Sequence, residues 1–420
     1  MHRVLLTNES TTVYESPDPG RIYAYTPGIV RLPGGRLVAT MDQGGPGVID
    51  LPGPKGLRGE GVHAWQGLIL VSDDRGSSWR RCGVFPFMHA RPFVAGRFLY
   101  VLGHAGDLTI IRSADGGETW SAPVTLTHDE QWHQSACNVH YAGHRLYLVM
   151  EKRARRTHAG WPVSDLAPIL MSANVDDDLT RREAWTLADE LVIGDHLQQA
   201  DWLGAPFWPI GPLTPDNARD RRSMAPIGWL ESNVVQFVDP DHVWYDPAGR
   251  TFYLWMRAHT GSTNLACTAR VTENDDGTLS TDFATSPAGV RQLYVPCPGG
   301  HLRFHILYDE LSRRYWLLSS LSTDSMTRPD RLPATRFNLP NNERHLLALY
   351  FSRNCIDWCM AGLVARGETP QQARHYASMC IDGDDLHVLG RSGDARAKSA
   401  HDGNLITLHT VRHFRDLVYA

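Results

Sequence analysis

A phenol, a carboxylate and two guanidinium groups stand at four well-separated points of the chain: Tyr376, Glu231, Arg257 and Arg344. Together they could perform chemistry that none supports alone. Tyrosine, with a reference pKa of about 10, is a poor nucleophile or base until a carboxylate accepts its proton and guanidinium groups steady the phenolate. Glu231 could take the first role and Arg257 or Arg344 the second. A neutral tyrosine nucleophile suits a substrate whose reacting centre already bears a carboxylate, because a carboxylate nucleophile would be repelled there. The bland alternative makes Arg257 and Glu231 a structural ion pair and Tyr376 a packing aromatic.

Histidine adds further acid–base capacity, with twenty residues. His89, His104, His133, His301, His305, His375 and His401 fall near expected strand starts or loops, where an imidazole poised near neutrality can give or take a proton. His133, within Trp132-His133-Gln134-Ser135-Ala136, and His401, within His401-Asp402-Gly403-Asn404, stand out because polar neighbours surround them before a strand. No histidine spacing or His/Asp triplet reads convincingly as a metal-ligand set, so neither a catalytic metal nor a cofactor is expected. The seven cysteines lack a Cys-x-x-Cys pair and read as buried thiols.

The elements that must position these groups are strands. Ser72-Asp73-Asp74-Arg75-Gly76-Ser77-Ser78-Trp79 and Ser113-Ala114-Asp115-Gly116-Gly117-Glu118-Thr119-Trp120 share the pattern Ser-x-Asp-x-Gly-x-x-Trp, and each follows an apolar run. Ser and Asp side chains can bond the local backbone of such a turn, Gly supplies positive φ, and Trp opens the next strand. Two copies forty-one positions apart indicate a repeating four-stranded unit, hence a β-propeller. A degenerate third copy, Ser352-Arg353-Asn354-Cys355-Ile356-Asp357-Trp358, is one residue short and lacks the Gly. Strand-like runs after a turn recur at residues 35–39, 96–100, 144–148, 249–253, 314–318 and 385–389, which predicts six blades of roughly seventy residues. Seven is the alternative if the long gap between 148 and 249 hides another; residues 194–228 there read instead as an extended loop, as do 42–61. One domain spanning 1–420 is expected, with Arg3-Val4-Leu5-Leu6 and Leu405–Val411 sharing a blade to close the ring.

The eight-residue turn pattern is similar to the Asp box, and through it the chain resembles the sialidase superfamily. This implies an all-β, six-bladed propeller of sialidase type. In that family an Arg-Ile-Pro-Gly start supplies the first of three arginines that clamp the substrate carboxylate; here Tyr25-Thr26-Pro27-Gly28-Ile29 places a phenol at that position. The segment from Glu231-Ser232-Asn233 to Leu254-Trp255-Met256-Arg257 resembles the stretch carrying the carboxylate partner and the second clamp arginine. Asn341-Asn342-Glu343-Arg344 matches the third, and His375-Tyr376-Ala377 resembles the nucleophile stretch. The resemblance therefore implies Tyr376 and Glu231 as catalytic, with Arg257 and Arg344 gripping the substrate carboxylate; Tyr25, Asn233, His133 and His401 are the further candidates for substrate contact. A family acid lies before the first box, and among Asp42, Asp50, Glu60 and His63 the first choice is Asp42, directly after its strand, and the second His63.

Net charge is −5 without a basic block, which gives no support for nucleic-acid or anionic-membrane partners. No hydrophobic segment of signal-peptide or membrane-spanning length is visible, and a cytoplasmic protein is expected. Three functions remain open: an exo-glycosidase removing a terminal acidic sugar, a polysaccharide lyase that β-eliminates at a uronate using Tyr376 or a histidine as base, and a non-catalytic glycan-binding propeller. Their common partner is a glycan bearing an acidic sugar.

Overall fold

The computed structural model describes residues 5–7, 9–58, 63–133, 137–157, 162–196, 228–259, 263–324, 327, 331 and 343–419. These residues build a six-bladed β-propeller of antiparallel sheets. From the axis outward, blade one comprises Tyr23–Arg31, Leu37–Gly44, His63–Ser72 and Arg80–Phe85. Blade two comprises Met88–Ala95, Phe98–Ala105, Asp107–Ser113 and Val124–Thr125. In blade three, Trp132–His133 and His140–Ala142 both pair with Arg145–Arg153, followed by Leu166–Asn174 and Thr186–Leu187. Blade four comprises Gly228–Val235, Thr251–His259, Leu265–Glu273 and Leu279–Asp282. Blade five comprises His305–Asp309, Arg314–Ser320, Leu346–Ser352 and Cys359–Arg366. Blade six comprises Arg374–Asp382, Asp385–Ser392, Leu405–Val411 and, outermost, Thr11–Glu15. Among the described residues no helix is long and apolar enough to cross a membrane.

Each of the six expected runs is the second strand of its blade. These strands have neighbours on both edges and sheets on both faces, so they read as nearly unbroken apolar sequence, and Leu37–Gly44 and Asp385–Ser392 are buried along their whole length. The core is correspondingly divided into layers at the blade boundaries. Phe93, Tyr100, Trp132 and Trp185 fill the boundary of blades two and three, while Val13, Ile29, Leu70, Leu389 and Leu408 join blade six to blade one. The strand beside Leu405–Val411 is Thr11–Glu15, which runs antiparallel with Thr11 opposite Leu408. Of the expected segment 3–6, residues 3 and 4 lie outside the described residues. Leu5 forms a parallel bridge to Leu363 of blade five, and Leu6 N–H donates to the Leu363 carbonyl at 2.7 Å. The loop expected over 42–61 contains a 3-10 turn, Val48–Asp50, and a short strand, Gly56–Arg58, and residues 197–227 of the other expected loop lie outside the described residues.

The repeated turns link third to fourth strands. In the first, Ser72 Oγ accepts from Gly76 N–H at 2.8 Å and donates to Asp74 Oδ1 at 2.8 Å, and Trp79 Nε1 donates to the Gly76 carbonyl at 3.1 Å. The second copies it: Gly117 N–H to Ser113 Oγ at 2.8 Å, Ser113 Oγ to Asp115 Oδ1 at 2.7 Å, Trp120 Nε1 to the Gly117 carbonyl at 3.0 Å. In the degenerate copy Asn354 replaces Asp and Cys355 takes the left-handed conformation at φ 58°. Trp358 Nε1, lacking its glycine carbonyl, donates to Pro296 at 3.2 Å. Ser113→Ala strips the buried Gly117 N–H of its partner, while Asp115 keeps its bonds to Glu118 and Thr119, so urea unfolding should show a loss of about 1–3 kcal/mol. Turnover per folded molecule should not change, because this turn lies on the outer part of the blade.

Candidate active site

Four blades share one device where the innermost strand begins. A non-glycine residue takes the left-handed conformation there: Thr26 (φ 44°), His89 (φ 53°), Glu231 (φ 57°) and Tyr376 (φ 51°). Each lies in a shift of the ladder register. The residue before each still pairs with the second strand, giving Tyr25–Asp42, Met88–His104, Leu230–Arg257 and His375–Arg391. A bulge leaves its extra residue unpaired and re-aims the side chain, at a backbone cost of the order of 1–2 kcal/mol per left-handed residue. Two of the four residues so re-aimed, Glu231 and Tyr376, are those that the family resemblance implies as catalytic.

Arg257 gathers them. Its Nη1 donates to Tyr376 Oη at 2.6 Å and to Glu231 Oε2 at 3.3 Å, while Nε donates to the His301 carbonyl at 2.8 Å. Tyr376 belongs to blade six and the other two to blade four, so the contact joins blades that are not neighbours in the ring. Glu231 and Tyr376 meet through Arg257 and share no hydrogen bond of their own. Both are buried, as is Arg257, and among the described residues Glu231 Oε1 has no hydrogen-bond partner. Burial opposes the charge of Arg257, but Tyr376 and Glu231 outweigh it and hold the guanidinium above its usual pKa.

Arg344, from blade five, places its guanidinium carbon 5.3 Å from the centre of the Tyr376 ring and its Nη1 3.1 Å from His375 Nδ1. Burial and then the like charge of Arg344 drive the His375 pKa far down, so this imidazole is neutral and its Nδ1 accepts. His301 behaves likewise, pushed down to about 3 by burial and then by Arg257 and Arg344. A third guanidinium, Arg391, lies 4.0 Å from the centre of the Tyr25 ring and 5.5 Å from that of Tyr376. Two more arginines are buried: Arg303 Nη2 donates to Ser378 Oγ at 2.9 Å and Arg91 Nη1 to the Pro27 carbonyl at 3.1 Å. The surrounding carboxyls only partly offset these cations. Burial pushes Glu151, which accepts from Ser232 N–H at 3.0 Å, up to about 8.

Asp42 lies within the strand Leu37–Gly44, not after it as expected, and pairs with Tyr25. It is fully buried, accepts the His89 N–H at 2.8 Å, and is pushed up to about 7 by burial against the pull of that N–H and of Arg91. A carboxyl with this pKa is protonated for part of the time at neutrality, as a general acid requires. Relative to its ordinary value of 3.8, the raised pKa means that the folded chain holds this proton more tightly than the unfolded chain. Its stabilising contribution is full below the ordinary carboxylate range and is lost as pH climbs through about 7. Asp42→Asn should therefore raise Tm more at pH 8 than at pH 4 in a scan at about 0.1 M salt.

The remaining expected residues divide. Tyr25 donates to Asp402 Oδ1 at 2.5 Å, and His401 Nδ1 lies 2.7 Å from the same oxygen with its side chain 60% exposed. Trp65 packs 5.5 Å from Tyr25 and 6.1 Å from His89, centre to centre. His133 pairs with Glu151 and its ring lies 6.1 Å from that of His89. His63 is exposed at the start of its strand and pairs with Arg58, and among the described residues it has no hydrogen bond to the Arg257 group. Asn233 is buried with its amide committed to backbone, Oδ1 to Ile306 N–H at 2.9 Å and Nδ2 to the Phe304 carbonyl at 3.2 Å, so it ties blade four to blade five. Glu60, Asn341 and Asn342 lie outside the described residues. The sequence reading overlooked Arg391, Asp402 and the pairing of His89 with His104. The available signal for Arg391 was its place at the end of the apolar run Leu386-His387-Val388-Leu389-Gly390, just as Arg257 follows Leu254-Trp255-Met256. Among the described residues no group of His, Cys, Asp and Glu side chains is arranged to hold a metal ion.

No protein-family model matches the chain, and no curated protein matches it by sequence. By structure it is similar to an α-L-arabinofuranosidase of Fusarium graminearum in complex with an iminosugar inhibitor, at 10% identity and a TM-score of 0.50, over 97% of this chain and 98% of that one. It is also similar to a Hadza microbial sialidase, at 13% identity and 0.52 over 96% and 68%. A Trypanosoma rangeli sialidase in complex with sialic acid aligns at 12% identity and 0.50, over 98% of this chain and 60% of that one. At such identities the likeness is one of architecture, and what it establishes for this chain is the six-bladed propeller.

Proposed function

We propose that the protein is a glycosidase acting on a terminal acidic sugar, with Tyr376 as nucleophile. The observation that carries this reading is the bridge from Arg257 Nη1 to Tyr376 at 2.6 Å and Glu231 at 3.3 Å, with a second guanidinium, Arg344, 5.3 Å from the same tyrosine ring. The guanidinium groups around the buried Tyr376 hydroxyl are suited to a carboxylate next to the reacting carbon. In the first step Tyr376 Oη bonds to the anomeric carbon as the glycosidic C–O bond breaks. Asp42 gives its proton to the departing oxygen and Glu231 takes the phenol proton. In the second step water gives a proton to Asp42 and its oxygen displaces Tyr376, which recovers its proton from Glu231. The solved neighbours include enzymes named for arabinofuranosides and for sialic acid; the arginines favour the acidic sugar over a neutral pentose.

A second reading is β-elimination at a uronate. The observation in its favour is that His89 Nδ1 lies 2.9 Å from His104 Nε2, at the bulge position of blade two, with the His89 N–H on Asp42. Here an imidazole would remove the proton next to the carboxylate, the C–O bond on the neighbouring carbon would break, and the leaving oxygen would be protonated. Product analysis on sialosides and on uronate-containing oligosaccharides separates the readings. Hydrolysis yields reducing sugar without an ultraviolet chromophore, elimination yields an unsaturated product that absorbs, and a purely glycan-binding propeller yields neither.

A further inference from the structure

We infer that Arg391 is the third carboxylate-gripping guanidinium of the site, supplied by blade six in place of the arginine missing at Tyr25; this rests on the reading of the site as a pocket for an acidic sugar. Its place in the fold is the first reason. Arg257 is the second-strand partner of the residue preceding the bulged Glu231, and Arg391 is the second-strand partner of the residue preceding the bulged Tyr376. The two arginines are thus the same position in two blades, and one of them already bonds the tyrosine hydroxyl.

The surroundings of Arg391 are the second reason. Its hydrogen bonds among the described residues run from Nη2 to His401, to the backbone carbonyl and, at 3.4 Å, to the ring Nδ1. Nε is buried without a hydrogen-bond partner, and among the described residues Arg391 forms no ion pair. Asp402 attracts it through space without bonding it, and a buried guanidinium with no bonded counter-ion is costly unless an anion completes the site. Burial, followed by the like charge of Arg344 against the opposing pull of Tyr25, brings its pKa down to about 10, which leaves it charged at neutrality.

Tyr25 is the third reason, and it accounts for the departure from the arginine pattern. The phenol lies face-on under Arg391 at 4.0 Å, while its hydroxyl is anchored to Asp402 at 2.5 Å. An arginine at position 25 would set a like charge against Arg391; a tyrosine there supports the guanidinium plane by a cation–π contact. The clamp keeps its charge count while one member has moved from blade one to blade six.

The test uses the full chain and four probes: N-acetylneuraminic acid, glucuronic acid and the uncharged carboxamide of each, with binding read by calorimetry. Arg391→Gln should weaken both acids by about 10- to 100-fold, as expected for a lost charged hydrogen bond, and leave the amides unchanged. Arg391→Lys keeps the charge but not the fork, and should recover part of the loss; it also serves if the Gln variant is too unstable to purify. If both variants keep the wild-type preference for acid over amide while Arg344→Ala loses it, Arg391 is a packing residue and the acidic-sugar reading stands. If the wild-type protein binds the amides as tightly as the acids, or binds none of the four, the reading of the pocket fails and the assignment of Arg391 falls with it.

Discussion

Tyr376→Phe should reduce kcat on the substrate identified by product analysis by about 10⁴-fold or more, the scale seen when a covalent nucleophile is removed. The substitution removes one oxygen and nothing else. The ring stays in place between Arg344 and Arg391, and Arg257 keeps its bonds to Glu231 and to the His301 carbonyl. Stability should fall by about 1.5–3 kcal/mol, the size of one lost hydrogen bond to a charged group, and the variant should fold and still bind substrate. Retention of full turnover would eliminate Tyr376 as nucleophile.

Arg344→Ala should raise KM for a carboxylated substrate by about 10²- to 10³-fold, the scale of removing one member of a buried charged contact. The corresponding carboxamide should lose far less. The comparison matters because Arg344 also donates to His375 Nδ1, and leaving that buried nitrogen unsatisfied costs about 1–3 kcal/mol of stability. A structural role would weaken both substrates alike, whereas a clamp discriminates between them. Equal losses on the two would remove Arg344 from the carboxylate site.

The blade number was legible because every blade offers one strand covered on both faces and entered through a tight turn, as at Gly35-Arg36-Leu37 and Gly249-Arg250-Thr251. The Ser-x-Asp turns were legible because their hydrogen bonds are local, between residues two to four apart. The degenerate third copy shows how far the pattern stretches: Cys355 adopts a glycine-like conformation and Trp358 finds another carbonyl. The closing strand was not legible in the same way. Thr11–Glu15 is an edge strand with one buried residue, Val13, so its sequence carries little apolar signal, whereas Val4-Leu5-Leu6 looks more strand-like.

At the site, residue types were readable and their relations were not. Four bulges stand on Thr26, His89, Glu231 and Tyr376, none of them a glycine, so no local signal announces the positive φ. Asp42 lies inside its strand because Leu37–Gly44 runs on through the polar residues Thr40, Asp42 and Gln43, past the point where the apolar pattern stops. Arg391 was missed because its relation to Tyr25 and Tyr376 is made across strands, in a register that only the folded ladder defines.

The pairing of Thr11–Glu15 with Leu405–Val411 has a consequence for how the chain comes to exist. On a ribosome Thr11–Glu15 emerges long before Leu405–Val411, and it has to wait, unpaired, while the five intervening blades are made. At about 5–20 residues per second, the roughly 390 positions from Glu15 to Leu405 take tens of seconds to make, and for that time the backbone of Thr11–Glu15 has no ladder partner at this edge. Guarding that edge during translation is a cost written into the circular order of the strands.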